Sequence, residues 1–211
     1  MGHTCYRRIL AALVAGVLAY HSAPAASAAP ATAPPVDTAP AQVTPPTAAQ
    51  PAQQPHRNLL AERLERKLRV EYIKATAGIQ APTLKAEALL PLLGDTNLVL
   101  LDIRQPEEQA VSMIPGAMTP KVFAEKYRKG IPKGRRIVVY CTIGYRSGRY
   151  AMQLATQGIT AENLEGGILA WSHVGGPFEV RNAEGLATPT RRVHIWDKTW
   201  NYLHPDYQAV W

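Results

Sequence analysis

Two uninterrupted apolar runs constrain this chain most, residues 97–103 (NLVLLDI) and residues 136–140 (RIVVY). A run without polar alternation is the pattern of a strand covered on both faces, the usual state of strands in parallel sheets. Helical patterns lie between and after these runs. Thr83 is placed to cap a short helix through Leu93, with Gly94 as its stop. Residues 147–157 carry Tyr150, Ala151 and Leu154 on one side, and Gly158 ends the pattern. A brief strand at Asn163-Leu164 then leads through Gly166-Gly167 into a further short helix through Trp171. Strands alternating with helices predict an α/β fold, a doubly wound and mostly parallel sheet flanked by helices.

The ends of the chain follow other rules. Arg7 and Arg8 precede an apolar run at residues 9–20, and Ala26-Ser27-Ala28 forms an A-x-A site. This order of features predicts a signal peptide over residues 1–28 and an exported protein, periplasmic or secreted. Twelve residues span about 18 Å as a helix, short of a hydrocarbon core of roughly 30 Å. An uncleaved membrane anchor is the competing reading. Residues 29–57 are predicted to be a disordered linker, because 16 of the 27 residues from 29 to 55 are Pro or Ala and Asp37 is their only charge. Removal of residues 1–28 would leave 21 basic and 16 acidic side chains and a single cysteine, Cys141. A net charge of +5 suits small anionic substrates or an anionic surface. It is too diffuse to predict a nucleic-acid partner.

Residues 58–77 read as an amphipathic helix, with Leu60, Leu64, Leu68 and Tyr72 recurring among Arg63, Arg66, Lys67 and Arg69. The segment 185–211 carries Trp196, Trp200, Tyr202, Tyr207 and Trp211. It either folds back over the domain or offers a binding patch. The basic helix and the aromatic tail are the two places where a membrane surface or a protein partner could make contact.

The chemistry centres on Cys141. It follows a buried strand directly and stands a few residues before a helix, the crevice where parallel α/β sheets bind ligands. Unpaired N–H groups at the helix start and the side chain of Arg146 favour an anionic sulfur, the nucleophilic form of a thiol. Gly144 permits the backbone angles of a tight cradle. From position alone a reactive thiol and an inert buried thiol both remain open.

Four separated stretches resemble the rhodanese homology domain. They are Asp102-Ile103-Arg104 with Pro106-Glu107-Glu108, then Ile114-Pro115-Gly116-Ala117, then Tyr140-Cys141 with Gly144 and Arg146-Ser147, and finally residues 164–171 followed by Gly175-Gly176-Pro177. The resemblance covers residues 83–180. It implies a sulfurtransferase in which Cys141 attacks the outer sulfur of thiosulfate or a persulfide donor, holds it as a persulfide and yields it to a thiol or cyanide. The N–H groups of Thr142, Ile143, Gly144, Tyr145 and Arg146 would cradle the substrate, with Ser147 a further substrate-binding residue. Asp102 and Arg104 would brace the site, while Trp171 and Gly166-Gly167 would be architecture. Phosphatase-like and arsenate-reducing relatives place five residues between cysteine and arginine; this chain has four, a tighter ring suited to one sulfur atom. Ser112-Met113 stands where the family often has Gly-His. Thr142, Ile143 and Tyr145 are not the basic residues that a preference for thiosulfate would suggest.

No cofactor or metal is expected. The six histidines lack a ligand spacing, and Gly166-Gly167 lacks the third glycine of a dinucleotide loop. A non-enzymatic sulfur-carrier, redox-sensing or protein-binding module is the alternative reading.

Overall fold

The structure is a computed structural model that describes residues 58–211. The expected signal peptide and linker lie outside the described residues. In chain order the first elements are α1 (Leu59–Ala75), β1 (Thr83–Leu84), α2 (Ala86–Leu89), β2 (Leu98–Asp102), α3 (Pro106–Val111) and α4 (Pro120–Lys126). β3 (Arg136–Tyr140), α5 (Tyr145–Ala155), β4 (Glu162–Leu164) and α6 (Gly167–His173) follow. The last four are β5 (Phe178–Arg181), β6 (Ala187–Thr190), β7 (Arg192–His194) and β8 (Gln208–Val210).

The sheet has the order β1-β4-β3-β2, and all its pairings are parallel. Its two faces account for the unbroken apolar runs. Leu100, Val138, Tyr140 and Leu164 join one core, with Leu68 of α1, Leu89 of α2 and Ile168 of α6. Their sequence neighbours Val99, Leu101, Ile137 and Val139 join the other, with Phe123 of α4 and Ala151 and Leu154 of α5. Successive residues of a strand point to opposite faces, so a sheet covered on both sides needs apolar residues at every position. Full burial of a side chain such as Leu101 or Leu164 contributes about 1.5–3 kcal/mol.

The C-terminal segment folds back on the first core. Val193 and Ile195 are wholly buried there, and Leu203 nearly so. β7 pairs with β8 in parallel, β5 pairs with β6 antiparallel, and Tyr207 Oη donates to the Gly176 carbonyl at 2.9 Å. Trp200, Tyr202 and Tyr207 pack against the core, whereas Trp196 and Trp211 stay exposed.

Three local expectations need correction. Thr83 caps no helix; it lies in β1 opposite Asn163. The edge of β4 captures this backbone, with Asn163 N–H donating to the Pro82 carbonyl and Glu165 N–H to that of Leu84. The helix therefore begins at Ala86, and its α form ends at Leu89, where a 3-10 turn containing Pro91 takes over because proline supplies no N–H to the ladder. α5 begins at Tyr145, two residues before the expected start. In α1, Leu68 is buried and Leu64 and Tyr72 are half-buried, but Leu60 is exposed and Ala61 is buried in its place. A stripe repeating every four residues drifts about 40° per step at 100° per residue, so Leu60 and Tyr72 cannot share one face.

Candidate active site

Cys141 leaves the end of β3 and lies three residues before Gly144, the N-cap of α5. Gly144 has φ +104°, in the region that favours glycine, and a Cβ there would stand 2.9 Å from Tyr72 Cε2 of α1. The turn brings the Gly144 N–H back onto Cys141 Sγ at 3.1 Å. Ser147 Oγ lies 3.4 Å from the same sulfur and donates its single proton to Asn163 Oδ1 at 2.6 Å. Asn163 Nδ2 in turn donates to the Gly144 carbonyl at 2.9 Å. Cys141 is 1% exposed.

A buried carboxylate fixes the outer side of the loop. Glu108 of α3 accepts from Arg146 Nη1 at 2.6 Å and Nη2 at 2.8 Å, from Thr142 Oγ1 at 3.0 Å and from the Gln105 N–H at 2.9 Å. Burial pushes the Glu108 carboxyl up, but the Arg146 and Gln105 donors outweigh it and hold it below its usual value. Burial likewise opposes the charge on Arg146. Glu108 and Cys141 outweigh that opposition and raise its pKa. The two-pronged carboxylate contact orients the guanidinium as a plane rather than leaving a free cation at the loop.

The inner side is held by α6. Ile168 N–H donates to the Cys141 carbonyl at 3.0 Å and Leu169 N–H to the Thr142 carbonyl at 3.3 Å. This close approach requires Gly167, where φ is +55° and a Cβ would lie 2.3 Å from the Cys141 oxygen and 2.6 Å from the Thr142 oxygen. Gly167→Ala is expected to destabilise the domain by about 2–4 kcal/mol, from overpacking plus left-handed backbone strain. Urea unfolding checks this; an unchanged midpoint would mean that the loop moves aside without cost.

Asp102 and Arg104 lie behind the loop, wholly buried as side chains. Arg104 Nε and Nη2 bind the Asp102 carboxylate, with Nη2 at 2.6 Å, and Nη2 also donates to the Ser112 carbonyl. Arg104 Cζ sits 5.8 Å from the ring centre of Tyr140, the residue before Cys141. Tyr140 Oη accepts from the Ile114 N–H at 3.1 Å. The pair thus reaches the sulfur only through the strand that carries it.

The expected site residues therefore have different places. Gly144 supplies the N–H at the sulfur, Ser147 reaches it by its hydroxyl, and Thr142 and Arg146 face Glu108. Ile143 is buried in the core, and Tyr145 is exposed with Arg149 at its hydroxyl. Glu108, Asn163 and Trp196 are the neighbours that sequence reasoning did not assign to the site. Trp196 lies with its ring centre 4.8 Å from Arg146 Cζ. Glu108 belongs to the first of the four family-like stretches, and a carboxylate in the first turn of a helix after a strand is a usable signal. No local signal pointed to Trp196.

Matches to known proteins cover this region. The rhodanese-like domain family matches residues 85–173. A sulfurtransferase of Allochromatium vinosum is 43% identical over 96 residues, which cover 44% of this chain and 90% of that protein. The Bacillus subtilis protein YtwF is 37% identical over 79 residues, 36% of this chain and 76% of that protein. A crystal structure of a rhodanese-like domain protein from Staphylococcus aureus is 26% identical, with 48% of this chain and 99% of that one aligned at a TM-score of 0.40.

Proposed function

The chain belongs to the rhodanese-like domain family, and from that premise we propose that it is a sulfurtransferase whose carrier is a persulfide on Cys141. The observation that supports this most directly is the Gly144 N–H 3.1 Å from Cys141 Sγ, in a turn that opens onto a helix N-terminus. Such donors stabilise anionic sulfur, and the incoming sulfur would occupy the same ring. The thiolate attacks the outer sulfur of the donor, and a new S–S bond forms as the donor's own S–S bond breaks. Sulfite leaves if the donor is thiosulfate, a thiolate if it is an organic persulfide. An acceptor thiolate then attacks the outer sulfur of the Cys141 persulfide and regenerates the Cys141 thiolate. Neither step needs an external oxidant or reductant.

The 1% exposure of Cys141 supports a donor that enters by a narrow terminal sulfur rather than a tetrahedral oxyanion. Export to the periplasm or the exterior is part of the proposal; it rests on Arg7, Arg8, the apolar run and Ala26-Ser27-Ala28.

Glu108 is a positioning residue in this scheme. Glu108→Gln keeps the shape but removes the charge facing Arg146, and is expected to lower kcat/KM about 10- to 100-fold through loop misplacement. The pH dependence follows from its depressed pKa. Its stabilising contribution is complete above the unfolded carboxylate value and is lost as pH falls through the lower folded one. The wild type should thus lose activity on the acid side of the carboxylate range, a limb that the Gln variant lacks. Rate profiles of the two proteins, superimposable after scaling, would remove Glu108 from the scheme.

A further inference from the structure

Trp196 lies outside the span matched by the family and has no role in the transfer step above. It is the only non-glycine residue with positive φ among the described residues, at +74°. A bulky aromatic side chain adopts that backbone at a cost, so the surroundings must over-determine it. They do so from both sides. Val193 and Ile195 are wholly buried, Ile195 N–H donates to the Val210 carbonyl at 2.8 Å, and Trp196 N–H donates to His194 Nδ1 at 3.1 Å. On the other side Asp197 N–H donates to the Ile195 carbonyl at 2.9 Å, and the Asp197 carboxylate accepts from Thr199 N–H at 2.8 Å.

The ring so held is not spent on the core, since Trp196 remains 53% exposed. It lies over Arg146, with Cζ 4.8 Å from the ring centre, while Glu108 holds the guanidinium edge. Arg146 Nη2 also donates to Thr142 Oγ1 at 3.1 Å, on the residue next to Cys141. Beside the Cys141–Arg146 loop the structure therefore presents a fixed aromatic surface and a cation whose charge Glu108 already compensates. Such a rim gives little to a small dianion and more to an apolar or planar organic group.

We infer that Trp196 is a specificity-determining residue that makes the Cys141 site select sulfane-sulfur carriers with an apolar or planar organic part over inorganic thiosulfate. The inference rests on the proposed sulfur transfer and adds the substrate class. An organic persulfide would place its outer sulfur against Cys141 and its carbon part along the Trp196 ring. The released thiolate leaves past the same surface.

The test uses the wild-type protein, Trp196→Ala and Trp196→Phe, with benzyl persulfide and thiosulfate as alternative donors to one thiol acceptor. In a two-step exchange, kcat/KM for the donor reports the loading half-reaction alone. The ratio of kcat/KM for benzyl persulfide over thiosulfate is expected to fall about 5-fold in Trp196→Ala, with the change carried by KM. Trp196→Phe should keep the ratio within about twofold of wild type. An unchanged ratio in Trp196→Ala, or an equal loss with both donors, would overturn the inference; the second result would make the ring a mere support for Arg146. Failure of the wild type to take sulfur from either donor is a different result, and it would sink the sulfur-transfer reading together with the rim.

Discussion

Asp102→Ala is expected to destabilise the domain by about 3–5 kcal/mol, the cost of leaving a buried cation without its counter-charge. Arg104 has no accessible side-chain surface, and its Nη1 has no hydrogen-bond partner even in the intact pair. Burial disfavours the charged guanidinium. Asp102, aided by Tyr140 and Glu108, more than offsets this and holds the pKa above its ordinary value. Removing the carboxylate reverses that balance. Arg104 Nε, Nη2 and backbone N–H would all lose their carboxylate acceptor at once, and the ring of Tyr140 would lie under an uncompensated charge. Because Asp102 pairs in register with Tyr140 on β3, the damage should extend to the strand that carries Cys141. The double replacement Asp102→Ala with Arg104→Met should recover most of the loss, since an apolar pair of similar volume is often neutral or better than a buried ion pair. Urea unfolding of the two variants and the parent decides the matter. A single variant within about 1 kcal/mol of the parent would show that the pair contributes little to the brace.

The parts of the fold legible in the sequence were those encoded locally. The runs at residues 97–103 and 136–140 announced doubly covered strands because every position in them meets a core. The thiol was legible for the same reason: a strand end, a short loop with Gly144 and a helix start are contiguous. β1 was not, since two residues carry no periodicity and their strand conformation comes from the free edge of β4. Glu107 and Glu108 are adjacent and alike in the sequence. The rotation of α3 puts Glu108 at full burial against Arg146 and leaves Glu107 exposed, a distinction that exists only once the helix is docked. Asn163 could be placed on a strand but not assigned to the loop, because its contact with Gly144 spans 19 residues. Trp196 is the extreme case. Its approach to Arg146 depends on β7, β8 and the buried Ile195, so the aromatic tail could be recognised as unusual without showing which ring reaches the site.

The other large effect concerns the sulfur itself. Cys141→Ser differs by one atom, keeps the Gly144 turn and is expected to fold, yet a hydroxyl is a far poorer nucleophile than a thiolate and cannot carry a sulfane sulfur under these conditions. Sulfur transfer should therefore fall to the uncatalysed background, whereas a positioning variant such as Glu108→Gln keeps a measurable rate. The most direct measurement is the intact mass of reduced, folded wild-type protein and Cys141→Ser after brief exposure to thiosulfate and, separately, to an organic persulfide. The account predicts a gain of about one sulfur atom on the wild type and none on the variant, with faster loading from the organic donor. No gain on the wild type with either donor, or an equal gain on Cys141→Ser, would contradict it.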